Sequence, residues 1–148
     1  MVDLIVRAAS KEDFTAIRSL IHTVQINPIG LDWRRFQVAM SPQGILLGCG
    51  QIKLHSDGSK ELASIAVQES ERGKGIARLI ITTLIKLEPE RPLYLMCRAR
   101  LNSFYDKFGF KAIRPEDMPP YFKRISRVER LLNSSSRAED RLVVMRLD

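Results

Sequence analysis

The chain has 148 residues, of which 45% are hydrophobic, and a formal net charge of +7 at pH 7, which fits one basic domain over residues 1–148. No apolar run approaches the ~18 residues of a membrane span and the N-terminus does not resemble a signal peptide, so we expect a soluble, cytoplasmic protein with no membrane partner. The single Trp and three Tyr do not alternate with basic residues as a base-stacking surface requires, so we expect no nucleic-acid partner.

In the N-terminal half, hydrophobic spacing and turn residues predict one helix and then a meander of antiparallel strands. A short apolar strand at 4–8 leads to a helix that Ser10 and Asp13 cap and that ends before Pro28. Further strands are predicted at 35–40, 44–55 and 61–67. The turns that separate them are short and rich in Ser, Asp and Gly, which favours antiparallel pairing.

The C-terminal half alternates helix and strand, which is typical of parallel crossovers. Helices are predicted at 75–87, 101–108 and 120–132, and strands at 93–97, 110–113 and 142–147. The serine-rich segment 133–137 predicts a flexible loop. Together these elements predict an α/β (α+β) fold, in which a mixed sheet of six or seven strands begins with an antiparallel meander and carries helices on both faces.

A glycine-rich turn connects the strand at 61–67 to the helix at 75–87. Its residues are Arg72, Gly73, Lys74, Gly75, Ile76 and Ala77. The first turn of a helix leaves about four backbone NH groups without intrahelical acceptors, and these groups attract anions. The two glycines allow a diphosphate to approach the backbone, while the Arg and Lys add positive charge at the rim.

Two well-known phosphate loops do not fit this turn. A P-loop requires Lys and then Ser or Thr after its second glycine, where this chain has Ile76 and Ala77. A dinucleotide loop requires a third glycine where this chain has Arg78, and an acidic residue about twenty positions later where it has Arg91, Pro92 and Leu93. A turn that uses glycine only for its geometry therefore stays an alternative to an anion site.

The cysteines and histidines predict neither a disulfide nor a metal site. Cys49 and Cys97 lie in apolar strands, so we expect buried free thiols, which suits a reducing cytoplasm. His22 and His55 are separate and have no partners at the spacing of metal ligands. We therefore expect no bound metal.

The glycine turn and a second segment together resemble the GNAT superfamily of N-acetyltransferases. Val67 followed by Arg72-x-x-Gly75-x-Ala77 is similar to the pyrophosphate signature of that superfamily. The segment 104–110 is similar to its other recurrent stretch, an aromatic-Tyr helix that closes on Gly-Phe. One helix and one strand separate the two motifs, as in the superfamily, and the resemblance extends over nearly the whole chain.

The resemblance implies acetyl-CoA as the cofactor and parallel central strands that splay apart to admit it. In this superfamily the strand before the signature bulges, and the pantetheine arm pairs with backbone groups that here belong to Ile65, Ala66 and Val67. The diphosphate then lies on the NH groups of residues 72–77. A backbone NH near Ile65 would polarise the thioester carbonyl, and one such donor is typically worth ~3 kcal/mol of barrier.

Glu61 matches the position at which several members carry a general base. An alkyl amine has a pKa near 10, so it arrives protonated and must lose a proton before it attacks the thioester. By alternation along a regular strand, the Glu61 side chain shares a face with Ala63, Ile65 and Val67. The alternative is an exposed Glu without a catalytic role, since not all members use this position.

Tyr105 matches the position of the general acid, whose hydroxyl protonates or hydrogen-bonds the departing thiolate, of pKa ~8.5. The alternative is an aromatic side chain packed in the core. Many members place an Asn seven residues before this Tyr to hold the cofactor, but this chain has Arg98 there. Asn102, three residues before Tyr105, is therefore the candidate for that contact, and Arg98 has no assigned role.

These expectations combine into an N-acetyltransferase that moves the acetyl group of acetyl-CoA to a primary amine by direct attack in a ternary complex. The acceptor is a small molecule or a protein, and the positive charge of the chain disfavours a polyamine. The alternative is a non-catalytic acyl-CoA-binding regulatory module of the same fold. Both a monomer and a homodimer are compatible with the sequence.

Overall fold

A computed structural model describes residues 3–134 and 137–148. The strands are β1 Ile5–Ala8, β2 Phe36–Met40, β3 Leu46–Leu54, β4 Lys60–Val67, β5 Leu93–Arg98, β6 Lys111–Ala112 and β7 Leu142–Leu147. The α-helices are α1 Phe14–Thr23, α2 Ile76–Leu87, α3 Asn102–Asp106 and α4 Pro120–Leu132. Every predicted element is present, and the prediction of six or seven strands resolves to seven. Two residues of the predicted flexible loop, Ser135 and Ser136, lie outside the described residues.

The helices begin where the sequence places their capping residues. A 3-10 turn at Lys11–Asp13 precedes α1, and Asp13 Oδ2 accepts a hydrogen bond from the Ser10 NH at 2.7 Å, as the predicted capping box requires. α4 begins at a proline, which suits the first helical position because its missing NH has no acceptor there. α3 is shorter than the predicted 101–108, because Leu101 belongs to a 3-10 turn at Ala99–Leu101 and the helix ends at Asp106.

The seven strands form one mixed sheet in the order β1-β2-β3-β4-β5-β7-β6. β1 pairs antiparallel with β2, and β2 pairs antiparallel with β3, as predicted for the meander. β4 and β5 are parallel, with Glu61 opposite Tyr94. β7 is antiparallel to both β5 and β6, so the C-terminal strand lies between two earlier ones.

The chain divides into two compact units. The first comprises residues up to Lys53 together with Leu62–Pro89, and the second comprises Leu54–Glu61 together with Glu90–Asp148. In the first unit, α1 packs against the face of β3 that carries Cys49, whereas α2 lies on the face of Gly48. Helices therefore cover both faces of this part of the sheet.

The second unit has a smaller core, in which α4 packs on β5 and β7. Phe122 of α4 is completely buried and contacts Tyr94 and Val144, with the Phe122 and Tyr94 ring centroids 5.1 Å apart. Cys49 and Cys97 are both buried and free, as predicted.

Candidate functional site

The glycine turn before α2 has an open outer side. Gly73 and Gly75 take the left-handed conformation, with φ of +81° and +83°. A Cβ atom placed on either residue would have no heavy atom within 4 Å. Gly75 is the N-cap residue of α2 and has no side chain to satisfy the first NH groups of that helix. The turn therefore leaves room for an anion close to the backbone at the start of α2, and replacement of either glycine would be strained.

Ionic contacts reduce the positive charge that the sequence places at this turn. Lys74 Nζ lies 2.8 Å from Glu71 Oε2, so an anion has to compete with that carboxylate for the ammonium group. Arg72 is exposed and borders a cavity of about 500 Å³. The other residues that line this cavity are Thr23, Val24, Gln68, Glu69 and Ser70.

Strand β4 is irregular three residues before its end. Ser64 has a φ of +60°, a left-handed conformation that is uncommon for a residue with a side chain and typical of a β-bulge. Gln51, which is completely buried, donates from Nε2 to Ser64 Oγ at 2.8 Å and to the Gly30 carbonyl at 3.3 Å. The predicted cofactor-pairing residues Ile65, Ala66 and Val67 follow directly. The shared face expected for Glu61 and Ile65 assumed a regular strand, and Ser64 interrupts that regularity.

Tyr105 lies on α3 and is 9% exposed. Burial, and secondarily the charge of the nearby Cys97, raises the pKa of Tyr105 to about 12. Burial likewise raises the pKa of Cys97 to about 11. The Cys97 thiol donates to Asn102 Oδ1 at 3.7 Å, so the structure brings together Tyr105, Cys97 and Asn102. At neutral pH the phenol and the thiol are both protonated donors.

Arg98 makes contacts that leave it little freedom to bind an anion. Its guanidinium donates to Glu129 Oε1 at 2.5 Å and to the carbonyl of Asp140 at 3.2 Å. This arrangement is a surface ion pair between β5 and α4.

The carboxylate of Glu61 is buried and paired, which the sequence did not predict. His55 Nε2 lies 2.8 Å from Glu61 Oε1, and the two side chains are 10% and 6% exposed. The alternative of an exposed Glu61 was therefore wrong, and His55, considered from the sequence only as a metal ligand, pairs with this carboxylate. Both residues flank the turn 56–59, and residues on either side of a hairpin turn lie close together. This spacing across the turn is the sequence feature from which the His55–Glu61 pair could have been predicted.

Aromatic rings hold His55 in place. Its imidazole stacks on Tyr121, with centroids 3.6 Å apart and an interplanar angle of 16°. Phe122 contacts the same ring edge-on, at 5.5 Å. Burial, and secondarily the Glu61 charge, raises the pKa of Tyr121. The N-terminus of α4 thus forms one wall around the His55–Glu61 pair.

Neither a metal-binding cluster nor a membrane-spanning helix is present among the described residues. Residues 3–134 and 137–148 contain no group of three or more His, Cys, Asp or Glu side chains arranged to hold a metal ion. Within the same residues, no helix is both long enough and apolar enough to cross a bilayer.

Solved structures of similar fold include several acetyltransferases. Rv2747 from Mycobacterium tuberculosis, in complex with CoA and NLQ, is 24% identical, with a TM-score of 0.71 over 97% of this chain and 98% of that one. N-acetylglutamate synthase from Neisseria gonorrhoeae, complexed with coenzyme A and N-acetyl-glutamate, is 15% identical, with a TM-score of 0.76 over 99% of this chain. The chain spans only 35% of that synthase. Escherichia coli ElaA is 16% identical, with a TM-score of 0.68 and complete coverage of both chains.

Sequence comparison identifies the family. No curated protein matches the chain at a significant level. The model of the acetyltransferase (GNAT) domain, however, matches residues 32–112, which is more than half of the chain and includes both the glycine turn and Tyr105. The chain therefore belongs to the GNAT acetyltransferase domain family.

Proposed function

We propose that this protein is an acetyl-CoA-dependent N-acetyltransferase, and that residues 1–148 act as one acyltransferase domain. The observation that carries the proposal is the open turn of Gly73 and Gly75 at the start of α2, in a chain of this family. The family match runs through residues of both compact units, which supports a single functional domain. Two solved proteins of this fold were crystallised with coenzyme A, which supports the cofactor.

The residues at the glycine turn fit the diphosphate of coenzyme A. The NH groups of residues 73–77 supply donors, the absence of Cβ atoms at both glycines supplies space, and Arg72 and Lys74 supply positive charge. Ile65, Ala66 and Val67 follow the Ser64 irregularity, where backbone groups of β4 would pair with the pantetheine arm. Asn102 would contact the cofactor from α3.

Bound acetyl-CoA supplies the activated acetyl group, and the side chains of this protein manage protons. Glu61 would take one proton from the acceptor ammonium and later release it to solvent. The free amine would then form the new C–N bond as the C–S bond breaks, and the second proton that the nitrogen loses would pass to the departing thiolate, directly or through water. Tyr105 would donate a hydrogen bond to that thiolate. With a pKa of about 12, the Tyr105 phenol is a weaker acid than the thiol of coenzyme A. Hydrogen bonding to the thiolate is therefore favoured over complete proton transfer from the phenol.

The proposed acceptor is a primary amine. The similarity to N-acetylglutamate synthase suggests free amino acids as one class of acceptor, and the test panel should include them. A net charge of +7 disfavours polyamines, because like charges repel at long range.

The test measures acetyl-CoA binding by calorimetry and thiol release with a panel of amino acids, aminoglycosides, polyamines and peptides. Gly75→Glu should weaken acetyl-CoA binding at least tenfold, because it adds a negative charge and strain at the phosphate turn. Gly58→Glu is the matched control, since Gly58 is also left-handed, at +88°, and open, but lies before β4 instead of after it. Equal affinity of Gly75→Glu and wild type would refute the phosphate site.

The same panel distinguishes an enzyme from a binding module. An enzyme should release thiol with at least one amine and lose that activity on Glu61→Gln. A non-catalytic regulatory module should bind acetyl-CoA with no acetylation of any acceptor, and Glu61→Gln and Tyr105→Phe should leave binding intact. Salt-sensitive binding of RNA that acetyl-CoA does not displace would instead indicate a nucleic-acid-binding domain.

A further inference from the structure

We propose that His55 is a positioning residue for Glu61: its Nε2–H holds one carboxylate oxygen and leaves the other oxygen to accept the proton of the acceptor amine. The inference rests on the proposed function. It is drawn from the contacts between the β3–β4 turn and α4. Neither the glycine turn nor Tyr105 takes part in these contacts.

The hydrogen bond between His55 and Glu61 has a defined direction. A carboxylate that acts as a base is ionised and can only accept, so the imidazole nitrogen 2.8 Å from Oε1 must carry the hydrogen. The contact of His55 is with Oε1 and not with Oε2. The hydrogen bond therefore fixes the rotation of the carboxylate and leaves Oε2 as the oxygen to accept the amine proton.

His55 is held through both its backbone and its ring. Its backbone NH donates to the Ser59 carbonyl at 2.9 Å, and its carbonyl accepts from the Gly58 NH at 3.0 Å. The imidazole is stacked on Tyr121 and bounded by the edge of Phe122. Backbone and ring are thus both held, which is the condition for one side chain to orient another.

Charged and titratable groups surround the His55–Glu61 pair. Asp57 lies near enough for His55 to influence its pKa electrostatically. Tyr94 lies opposite Glu61 in the sheet and interacts with Arg146. The charges of Glu61 and Arg124 both act on the pKa of Tyr121, Glu61 raising it and Arg124 lowering it. These are the charged and titratable groups that face the pair from the β3–β4 turn, from β5 and from α4.

The activity test is a double-mutant cycle of wild type, His55→Ala, Glu61→Gln and the double variant. Each protein is assayed with the amine that wild type acetylates fastest. His55→Ala should lower kcat about tenfold with an unchanged KM for acetyl-CoA, since a general base contributes ~10²–10⁴ and positioning is part of that. His55→Gln, which retains a donor near the same place, should recover most of the rate. In a Glu61→Gln background, His55→Ala should cause no further loss, because the residue acts through Glu61. Ser56→Ala, an exposed neighbour, is the control.

A second readout does not depend on turnover. The ¹⁵N shifts of the His55 ring should show the hydrogen on Nε2 in wild type and a mixture of tautomers in Glu61→Gln. If wild type acetylates an amine but His55→Ala keeps its full rate, or if the two substitutions add, the positioning role is refuted while the proposed function stands. If wild type acetylates nothing, the proposed function fails. A wild-type His55 with its hydrogen on Nδ1 would refute the pairing itself in either case.

Discussion

The carboxylate of Asp57 accepts a hydrogen bond from the backbone NH of Tyr121, with Oδ2 and the nitrogen 3.0 Å apart. Tyr121 is the second residue of α4, and the residues before it, Pro119 and Pro120, have no NH to offer. The first free donor of this helix is therefore capped by a side chain 64 residues earlier. The same carboxylate accepts from the Ser59 NH at 2.9 Å, so it joins the β3–β4 turn to the helix that holds His55.

Asp57→Ala should lower the free energy of unfolding by ~1 kcal/mol, the usual effect of removing an N-cap side chain. Asp57→Asn keeps an oxygen at the same position and should lose only a few tenths of that. Urea denaturation of the three proteins at pH 7 measures the difference. Equal losses for Ala and Asn would mean that the charge of Asp57, and not its hydrogen bond, is what matters.

The contribution of Asp57 should also depend on pH. Burial tends to raise the pKa of this carboxyl, but hydrogen bonds from Ser59 and from the Tyr121 NH outweigh it and hold the pKa below its usual range. A lowered folded-state pKa gives stability that is present above the unfolded value of ~3.9 and is lost as pH falls through the folded value. The gap in stability between wild type and Asp57→Ala should therefore shrink below about pH 4. A constant gap down to pH 2.5 would contradict this.

Tyr105→Phe should reduce kcat with little change in the KM for acetyl-CoA, because the hydroxyl acts on the thiolate and not on the bound thioester. Since the pKa of Tyr105 is about 12, no decline in rate from its ionisation is expected below about pH 10. Steady-state rates of wild type and Tyr105→Phe from pH 6 to pH 10 check both points. Phe104→Leu, on the same short helix, is the control for altered packing. Full turnover of Tyr105→Phe would show that the Tyr105 hydroxyl does not assist the departure of the thiolate.

Local signals in the sequence predicted most of the fold and one part of the site. The bounds of α4 and β7 were correct, because a proline starts the helix and apolar residues fill the strand. The glycine turn was recognisable because its conformation depends on its own residues. The resemblance implied a bulge in the strand before the turn, but no local signal placed it at Ser64, whose side chain bonds to Gln51 of β3. The His55–Glu61 pair was missed although both residues flank one turn, because its environment is completed by α4. The order of β5, β7 and β6 likewise depends on pairing between distant segments.

Gly50→Ala should destabilise the protein by ~1–3 kcal/mol through overpacking. A Cβ at this position would lie 2.5 Å from Ile65 Cδ1 and 2.9 Å from Ile80 Cγ2, distances that require those side chains to move. Adding Ile65→Val removes the closest methyl group and should restore part of the loss, which a double-mutant cycle in urea would measure. Gly44→Ala is a useful control, because its loss comes from a φ of +80° without any clash. A Gly50→Ala protein as stable as wild type would show that α2 shifts freely over β3.

Asp13→Asn should reveal an acid-sensitive contribution at the start of α1. Hydrogen bonding to the Arg7 guanidinium, aided by the Ser10 NH, lowers the pKa of Asp13 to about 2 although burial opposes the change. Such a shift corresponds to at most ~2.5 kcal/mol, but the Arg7 side chain is 41% exposed, so we expect about 1 kcal/mol after solvent screening.

Because the folded pKa is depressed, this stability is complete at neutral pH and disappears as pH falls from about 5 to about 2. Thermal unfolding of wild type and Asp13→Asn across that range should show curves that converge at the acidic end. Arg7→Gln should remove most of the same contribution, since the guanidinium is the main cause of the shift. If Arg7→Gln leaves the acid sensitivity of wild type intact, the hydrogen bonds from Ser10 carry the effect instead.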